Sequence, residues 1–159
     1  MTGVTYSAMG DDSHAELVCD MMRALYAEDA PSSGYTPRNF RATIDHLLAH
    51  PDHGRVVLLT EGSSVRGYAL LIPFWSNEFG GTVLFVDEMF VIPEARNRGI
   101  GRSFFKFLHQ TRPFEAVALA LEVSPGNAGA LRLYESLGFR RQKNLVLTYS
   151  FTDDPTDGI

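Results

Sequence analysis

The sequence predicts an α/β domain with a mixed central sheet of about six to seven strands and about four flanking helices. Two observations predict this class: four segments carry apolar residues at helical spacing, and β-prone runs separate them along the chain. A chain of 159 residues is long enough for one core and short for two. We therefore expect one domain over residues 1–152, followed by a polar tail over residues 153–159.

The first half of the chain predicts one strand, two helices and a hairpin. Residues 4–8 alternate in polarity, and apolar residues recur at helical spacing over 15–27 and again over 40–48. The β-prone runs 55–60 and 65–74 are separated by a short glycine-bearing turn, which is typical of a hairpin. These elements precede the most apolar strand of the sequence.

The second half predicts alternating strands and helices. The nearly continuous apolar run 82–92 suits a strand covered on both faces, and residues 116–123 alternate bulky with small side chains. Amphipathic helices are expected over 99–110 and 127–137. The chain then ends in a closing pair of strands, predicted over 139–142 and 144–151.

Composition argues against several classes of function. Fourteen Lys and Arg against nineteen Asp and Glu give a net charge of -5, so nucleic acid is not expected as a partner. No basic stretch followed by an apolar run opens the chain and no apolar window spans a membrane, so we expect a cytoplasmic protein with no membrane partner. Cys19 is the single cysteine, and the five histidines lack ligand spacing, so we expect no metal site.

A glycine-bearing turn follows the predicted buried strand. Its sequence is Arg96-Asn97-Arg98-Gly99-Ile100-Gly101, and Arg102 comes next. At a helix start, backbone N–H groups point outward without partners, glycines allow close approach of a ligand, and the helix dipole favours negative charge. The turn therefore predicts a pyrophosphate site, and a tight turn that uses its glycines for packing is the alternative.

Two other glycine motifs do not fit this turn. A dinucleotide fingerprint needs a third glycine where Phe104 stands. A P-loop needs Lys followed by Ser or Thr, where this chain has Arg102-Ser103. Nucleotide binding through either motif is therefore disfavoured.

Two segments together resemble a known family. The stretch from Val91 to Gly101 resembles the acyl-CoA signature of the GNAT superfamily of N-acyltransferases. In that signature, Arg or Gln, two variable residues, Gly, one variable residue and Gly or Ala follow a strand ending in Val-x-Pro. The segment from Asn127 to Phe139 resembles the Asn-x-x-Ala-x-x-x-Tyr-x-x-x-Gly-Phe pattern of the same superfamily. The resemblance implies the GNAT fold, with a sheet that splays between the fourth and fifth strands.

The resemblance also implies a function. It points to an N-acetyltransferase that transfers an acetyl group from acetyl-CoA to a primary amine of a small molecule. A protein or peptide N-acetyltransferase and a non-catalytic acyl-CoA-binding regulatory module are the alternatives. Dimers are common in the family, so we expect a homodimer by analogy.

The resemblance assigns the cofactor to the buried strand, the turn and the last helix. In the family, main-chain groups of the strand bind the pantetheine, and a backbone N–H of the strand meets the thioester oxygen. Tyr134 occupies the family position whose phenol protonates the departing thiolate. The expected cofactor-binding residues are Met89, Phe90, Val91, Arg96, Asn97, Arg98, Gly99, Ile100, Gly101, Arg102, Asn127 and Tyr134.

Two acidic residues, Asp87 and Glu88, interrupt the apolar strand. The stretch from Phe85 to Val91 is similar to that of polyamine and thialysine acetyltransferases, which carry Glu-Asp where this chain has Asp-Glu. The similarity implies two catalytic carboxylates, one acting as base through water and one holding the cationic acceptor. The swapped order leaves open which residue has which role, and hydrogen bonding across the sheet or to a nearby Arg is the structural alternative for either.

The acceptor is expected to lie against loops that border this site in the fold. Tyr35, Trp75, Asn77 and Glu78 lie in such predicted loops, and together with Glu88 they can select an amine by stacking and charge. Each of these four is otherwise an ordinary loop residue.

Overall fold

The computed structural model of this chain describes residues 3–31 and 39–151. The described strands are β1 (Val4–Ala8), β2 (Arg55–Glu61), β3 (Ser64–Ser76), β4 (Gly81–Val91) and β5 (Ala118–Leu121). The described helices are α1 (Ala15–Glu28), α2 (Phe40–Ala49), α3 (Ile100–Thr111) and α4 (Ala128–Ser136). The predicted polar tail, residues 153–159, lies outside the described residues.

The sheet is mixed, with the strand order β1-β2-β3-β4-β5. The strands from β1 to β4 pair antiparallel, whereas β5 pairs parallel to β4. The parallel pairing ends at Val86 opposite Leu121, although β4 continues to Val91. From Asp87 onward the edge of β4 is therefore open toward β5. This confirms the predicted mixed sheet with a splay between its fourth and fifth strands.

Helices cover both faces of the sheet. On one face α1 and α2 bury Val18, Met22 and Ile44, and on the other face α3 buries Phe104 and Leu108. The central strands supply alternate side chains to the two cores, as expected for a sheet that is covered on both sides. In the described part of the chain, no helix is long and apolar enough to cross a membrane.

The described chain contains five strands rather than six or seven. The closing pair predicted over residues 139–142 and 144–151 is absent, because neither segment forms a strand in the structure. Phe139 packs its ring against Phe105 and Tyr134, with centroid distances of 5.4 and 5.8 Å. Beyond Phe139 the described chain has no strand partner. β-prone side chains do not make a strand without a neighbouring backbone to pair with.

The hairpin of β3 and β4 is longer than the sequence predicts. β3 continues through Pro73 to Ser76, beyond its predicted end at residue 74, so the loop before β4 spans only residues 77–80. The pairing of β2 with β3 ends at Leu71. Beyond Leu71, β3 has a strand partner on one side only, so Pro73, which lacks a backbone N–H, interrupts no hydrogen bonds to β2. The extension carries Trp75 to the end of the hairpin that lies far from Val91.

Candidate active site

A groove of about 950 Å³ opens where β4 separates from β5. Its walls are the C-terminal end of α1, the last residues of β4, the turn before α3, the loop after β5, and α4. The groove therefore joins the first and last helices of the described chain across the carboxyl end of the central strand. This is the usual place for a ligand in an α/β sheet.

All but one of the residues predicted to bind the cofactor line this groove. They are Met89, Phe90, Val91, Arg96, Asn97, Gly99, Ile100, Gly101, Arg102, Asn127 and Tyr134. The exception is Arg98, whose guanidinium contacts the carboxylate of Glu61. Arg102 lines the groove, but its Nη2 donates to Oγ of Ser136 at 2.7 Å. The structure thus brings the predicted residues together, but the guanidinium groups of Arg98 and Arg102 contact Glu61 and Ser136.

The turn before α3 exposes backbone donors to the groove. Asn97 and Gly99 adopt positive φ angles of 59° and 79°, and Gly99 precedes the helix without a side-chain cap. The N–H of Ser103 donates to the main-chain oxygen of Gly99 at 3.0 Å. The N–H groups that precede it have no intrahelical acceptor because they begin the helix. Together with the helix dipole, they give the turn the geometry and the charge that suit an anion.

Gly101 has a packing role in addition to its place in the turn. A Cβ at this position would lie 3.1 Å from Cδ2 of Leu133 and 3.6 Å from Cε of Met89. The missing side chain therefore lets α3 approach both α4 and β4. Gly101 therefore serves close packing, which was the alternative interpretation of the turn. This packing role is compatible with an anion site at the same turn.

Arg96 ties the end of α1 to the turn. Its Nη2 donates to both carboxylate oxygens of Glu28 at 2.9 Å, and its Nε donates to the main-chain oxygen of Val91 at 2.8 Å. Its guanidinium carbon lies 5.3 Å from the centroid of the Phe90 ring. The positive charge of Arg96 is therefore already paired. An anion at the turn would be attracted mainly by the backbone N–H groups and less by the arginines.

A second contact closes the same end of the groove. Oγ of Ser124 donates to Oδ1 of Asp29 at 2.6 Å, which links the end of α1 to the loop after β5. Sequence reasoning missed Glu28, Asp29 and Ser124. Their contacts join residues 68 and 95 positions apart in the chain, and no local pattern in the sequence marks them.

α4 places Tyr134 in the groove. Asn127 begins this helix, and its Oδ1 accepts the N–H of Ala130 at 3.1 Å. The ring of Tyr134 packs edge-on against Phe105, with 5.4 Å between centroids. Burial raises the pKa of the Tyr134 phenol, and the described residues offer its hydroxyl no hydrogen-bond partner. Tyr134 is therefore a protonated donor that lines the groove.

Glu88 is held by two phenols. The hydroxyl of Tyr26, from α1, donates to its Oε1 at 2.8 Å, and the hydroxyl of Tyr68, from β3, donates to its Oε2 at 2.6 Å. Burial, followed by the charge of Glu88, raises the pKa of both phenols. The predicted alternative of hydrogen bonding around the sheet is thus realised for Glu88, and it fixes the carboxylate in one orientation.

Asp87 lies in a bulge of β4. Leu70 pairs with Glu88 and Leu71 pairs with Val86, so Asp87 has no residue opposite it on β3. Part of Asp87 is exposed, yet burial of its carboxyl raises the pKa, and the charges of Glu88 and Glu122 raise it further.

Within the described residues, the carboxylates of Asp87, Glu88 and Glu122 have no cationic partner. None of the ion pairs formed within residues 3–31 and 39–151 includes any of the three. Their negative charge therefore stays uncompensated where the two strands part.

The structure does not bring the predicted loop residues Trp75, Asn77 and Glu78 to the groove. Trp75 pairs with Thr82, and Asn77 and Glu78 lie in the turn of that hairpin, at the opposite end of β4 from the groove. Tyr35 lies outside the described residues. Trp75, Asn77 and Glu78 are therefore not neighbours of the groove, contrary to the expectation from the sequence.

No group of three or more His, Cys, Asp or Glu side chains able to hold a metal ion occurs in the parts of the chain that the structure describes. His46, His50 and His53 contact one another at the end of α2, and Nε2 of His46 lies 3.0 Å from Nδ1 of His53. These three histidines lie apart from the residues that line the groove.

Several solved structures are similar to this chain over nearly its whole length. An integron cassette protein from the mobile metagenome of Cole Harbour Salt Marsh is 26% identical, with a TM-score of 0.73 and coverage of 96% of this chain and 92% of that one. A possible acetyltransferase from Clostridium difficile 630 is 18% identical, with a TM-score of 0.76 and coverage of 92% and 97%. An aminoglycoside N-acetyltransferase, AAC(6')-Iy, in complex with CoA is 18% identical, with a TM-score of 0.72 and coverage of 93% and 95%.

No curated protein sequence matches the chain. A family model for the acetyltransferase (GNAT) family matches residues 19–139, a range that includes every element around the groove. This family uses acetyl-CoA as acyl donor, and its members are N-acetyltransferases. The fold, the open edge of β4 and the anion-binding turn agree with that match, and the chain belongs to the GNAT acetyltransferase family.

Proposed function

We propose that this chain transfers an acetyl group from acetyl-CoA to a primary amine of a small, positively charged molecule. The observation that supports this most strongly is the uncompensated negative charge where β4 leaves β5, formed by Asp87, Glu88 and Glu122. A cluster of carboxylates without cationic partners attracts a cationic amine. Two of the three lie on the strand whose next residues line the groove.

The groove suits coenzyme A in two places. The open edge of β4 from Asp87 to Val91 carries main-chain groups that β5 does not pair, and such groups can bind the amides of a pantetheine arm as an added strand would. The turn from Asn97 to Arg102 offers backbone donors to a pyrophosphate. When bound, acetyl-CoA supplies the thioester carbonyl that an amine attacks.

Asp87 is the better candidate for the base. Both oxygens of Glu88 already accept phenolic hydrogen bonds, which hold the carboxylate in place. Asp87 has no such donors among the described side chains, and its raised pKa moves it toward the range in which a carboxylate serves as base near neutral pH. In this assignment Asp87 takes the proton of the amine, directly or through one water, and Glu88 holds the cation.

Tyr134 is the proposed acid. Its phenol lines the groove and keeps its proton at neutral pH because burial raises its pKa. As the N–C bond forms and the C–S bond breaks, the amine proton passes to Asp87 and the phenolic proton passes to the thiolate sulfur. Asp87 then releases its proton to solvent and solvent returns a proton to Tyr134, so both residues regain their starting states.

The test is release of coenzyme A thiol from acetyl-CoA over a panel of amines: polyamines, aminoglycosides, lysine analogues and peptides. We expect turnover with small cationic amines, and a KM for the amine that rises with salt because ions screen the exposed carboxylates. If only peptides are acetylated, the acceptor is a protein or peptide and not a small amine. Acetyl-CoA binding in calorimetry without thiol release from any amine would contradict the proposal and favour a non-catalytic module.

A further inference from the structure

The acidic end of α1 lines the groove that suits an anionic cofactor. Glu28 is the last residue of α1, Asp29 follows it, and both line the groove. Among the described residues, the other side chains of the wall that carry a full charge are those of Arg96 and Arg102. Two carboxylates thus oppose two guanidinium groups, and their formal charges cancel.

The stability of α1 does not explain these two carboxylates. The C-terminal end of a helix carries partial negative charge, so carboxylates there are unfavourable and basic residues are favourable. The last turn of α1 nevertheless contains no basic residue. The side chains of Glu28 and Arg96 are 45% and 37% exposed, and ion pairs with this exposure add little to stability. A role in the groove is therefore the stronger explanation.

Glu28 occupies the guanidinium group of Arg96. Both carboxylate oxygens of Glu28 accept from Nη2 of Arg96 at 2.9 Å. Arg96 begins the turn whose backbone donors suit a pyrophosphate, and its positive charge would otherwise attract the same ligand. Because opposite charges at this distance cancel at longer range, Glu28 removes most of that attraction.

Asp29 adds a second negative charge at the same end of the groove. Its Oδ1 accepts from Oγ of Ser124 at 2.6 Å. The hydroxyl is neutral, so this contact holds the carboxylate in place without cancelling its charge. The end of α1 therefore presents two fixed carboxylates to a groove that otherwise suits an anion.

Very tight binding of the phosphates would not help an acyltransferase. Acetyl-CoA and coenzyme A carry the same phosphates, so the turn binds substrate and product alike, and such uniform binding does not lower the barrier of the chemical step. Tight binding of the product slows its release, and release limits turnover in many enzymes. A carboxylate that weakens the binding of both ligands therefore favours turnover.

We propose that Glu28 is a positioning residue that occupies Arg96, weakens the binding of coenzyme A and so speeds the release of this product. Asp29 acts in the same direction with a smaller effect, because its contact is with a hydroxyl and not with an arginine of the turn. The inference rests on the part of the proposed function in which coenzyme A occupies the groove. It is independent of the acceptor and of the roles of Asp87 and Tyr134.

The experiment is calorimetry of coenzyme A binding to the full chain at low salt. Glu28→Gln frees the charge of Arg96 and should lower the dissociation constant by about tenfold. This gain should shrink at high salt because ions screen the freed charge. Glu28→Asp keeps the carboxylate and should stay within about threefold of the parent.

Glu94→Gln is the matched control. It removes the same charge just before Arg96 in the chain, but Glu94 does not line the groove, so the dissociation constant should change by less than about twofold. Asp29→Asn keeps an oxygen that can accept from Ser124 and should lower the dissociation constant by about threefold. Surface plasmon resonance on the immobilised full chain should show slower dissociation of coenzyme A from Glu28→Gln, by about the same factor as the gain in affinity.

Tighter binding is a result that damage to the fold does not produce, and circular dichroism checks that each variant is folded. An unchanged or raised dissociation constant in Glu28→Gln would overturn the proposal, because Glu28 would then have no effect on coenzyme A or would help Arg96 to bind it. An equal gain in Glu94→Gln would also overturn it, since the effect would belong to the net charge. A parent chain that does not bind coenzyme A would contradict the proposed function and this inference together.

Discussion

The groove proposed for the cofactor and the carboxylates proposed for the acceptor are built in different ways. On the cofactor side, the backbone conformation of the turn and of α4 is set locally: Asn127 caps α4 through Ala130, and Gly99 precedes α3 by one residue. On the acceptor side, Glu88 is held by Tyr26 and Tyr68, which lie 62 and 20 positions away in the chain. The cofactor side depends on backbone conformation, and the acceptor side depends on side chains from separate elements.

This difference has a consequence for mutagenesis. Changes that alter backbone conformation should damage cofactor binding and leave the acceptor carboxylates in place. Changes that remove single side-chain oxygens should damage catalysis or acceptor binding and leave acetyl-CoA affinity unchanged. Four substitutions separate the two sides.

The largest effect is expected from Tyr134→Phe, which removes one oxygen and keeps the ring that packs against Phe105. Loss of a general acid lowers kcat by about 10²- to 10⁴-fold, while the dissociation constant of acetyl-CoA should stay nearly constant. Steady-state kinetics with the best amine of the panel and calorimetry with acetyl-CoA measure both quantities. Tyr149→Phe, which removes a phenol oxygen outside the groove, is the control. An unchanged kcat with chemistry shown to be rate-limiting would remove Tyr134 from the mechanism.

The second substitution is Asp87→Asn, which should lower kcat by about 10²- to 10³-fold if Asp87 is the base. Because the pKa of Asp87 is raised, the parent rate should climb as pH rises through that pKa. The variant should lack this step in a pH profile. A variant that keeps the same pH step would assign the titration to another group and leave Glu88 or water as the base.

Asp87→Asn should also stabilise the fold at neutral pH. The folded protein holds this proton more tightly than the unfolded chain, whose carboxyl titrates near the ordinary value of 3.8. The free energy of unfolding of the parent therefore falls as the pH rises from 3.8 through the raised pKa of Asp87. Above the raised pKa the full destabilisation is present. Thermal unfolding should show a variant that is more stable than the parent at pH 7 and equal to it below about pH 3. If the parent is more stable than Asp87→Asn at pH 7, the ionised carboxylate of Asp87 stabilises the fold, and this prediction is wrong.

The third substitution is Gly99→Val, which places a β-branched side chain at a positive φ of 79° beside the groove. It should raise the dissociation constant of acetyl-CoA by about a hundredfold, because it both blocks approach to the backbone donors and disturbs the turn. Gly80→Val is the matched control, since Gly80 also has a positive φ, 61°, but lies in the hairpin turn away from the groove. Calorimetry on folded variants decides between a local effect on the anion site and a general effect of backbone strain.

The smallest effect is expected from Tyr26→Phe, which removes the donor to Oε1 of Glu88. If Glu88 holds the cationic acceptor, the KM for the amine should change by about tenfold, with little change in kcat or in acetyl-CoA affinity. Tyr6→Phe is the phenol control, because the hydroxyl of Tyr6 donates to the main-chain oxygen of Ile100 and not to a carboxylate. A fall in kcat with an unchanged KM would place Glu88 in the chemical step and exchange the roles proposed for the two carboxylates.

The sequence predicted the helices and the first five strands because their patterns depend on neighbours within a few residues. It did not predict the loss of the closing strands over 139–142 and 144–151, because pairing depends on a partner backbone and not on β-propensity. It placed Trp75 and Glu78 in a loop beside the acceptor because the β-prone run was expected to end at residue 74. The ladder between β2 and β3 ends before Pro73, so the strand continues past it.

By itself, the sequence determined the glycine turn from Arg96 to Gly101 and the spacing from Asn127 to Tyr134, because a helix start and a helical repeat are set by adjacent residues. Only the tertiary structure decided that Arg96 is already paired with Glu28, that two phenols hold Glu88, and that Asp87 stands in a bulge beside Glu122. These features arise where distant segments meet, and the partners of a charged side chain follow from the packing of helices and strands, which no local pattern of residues contains.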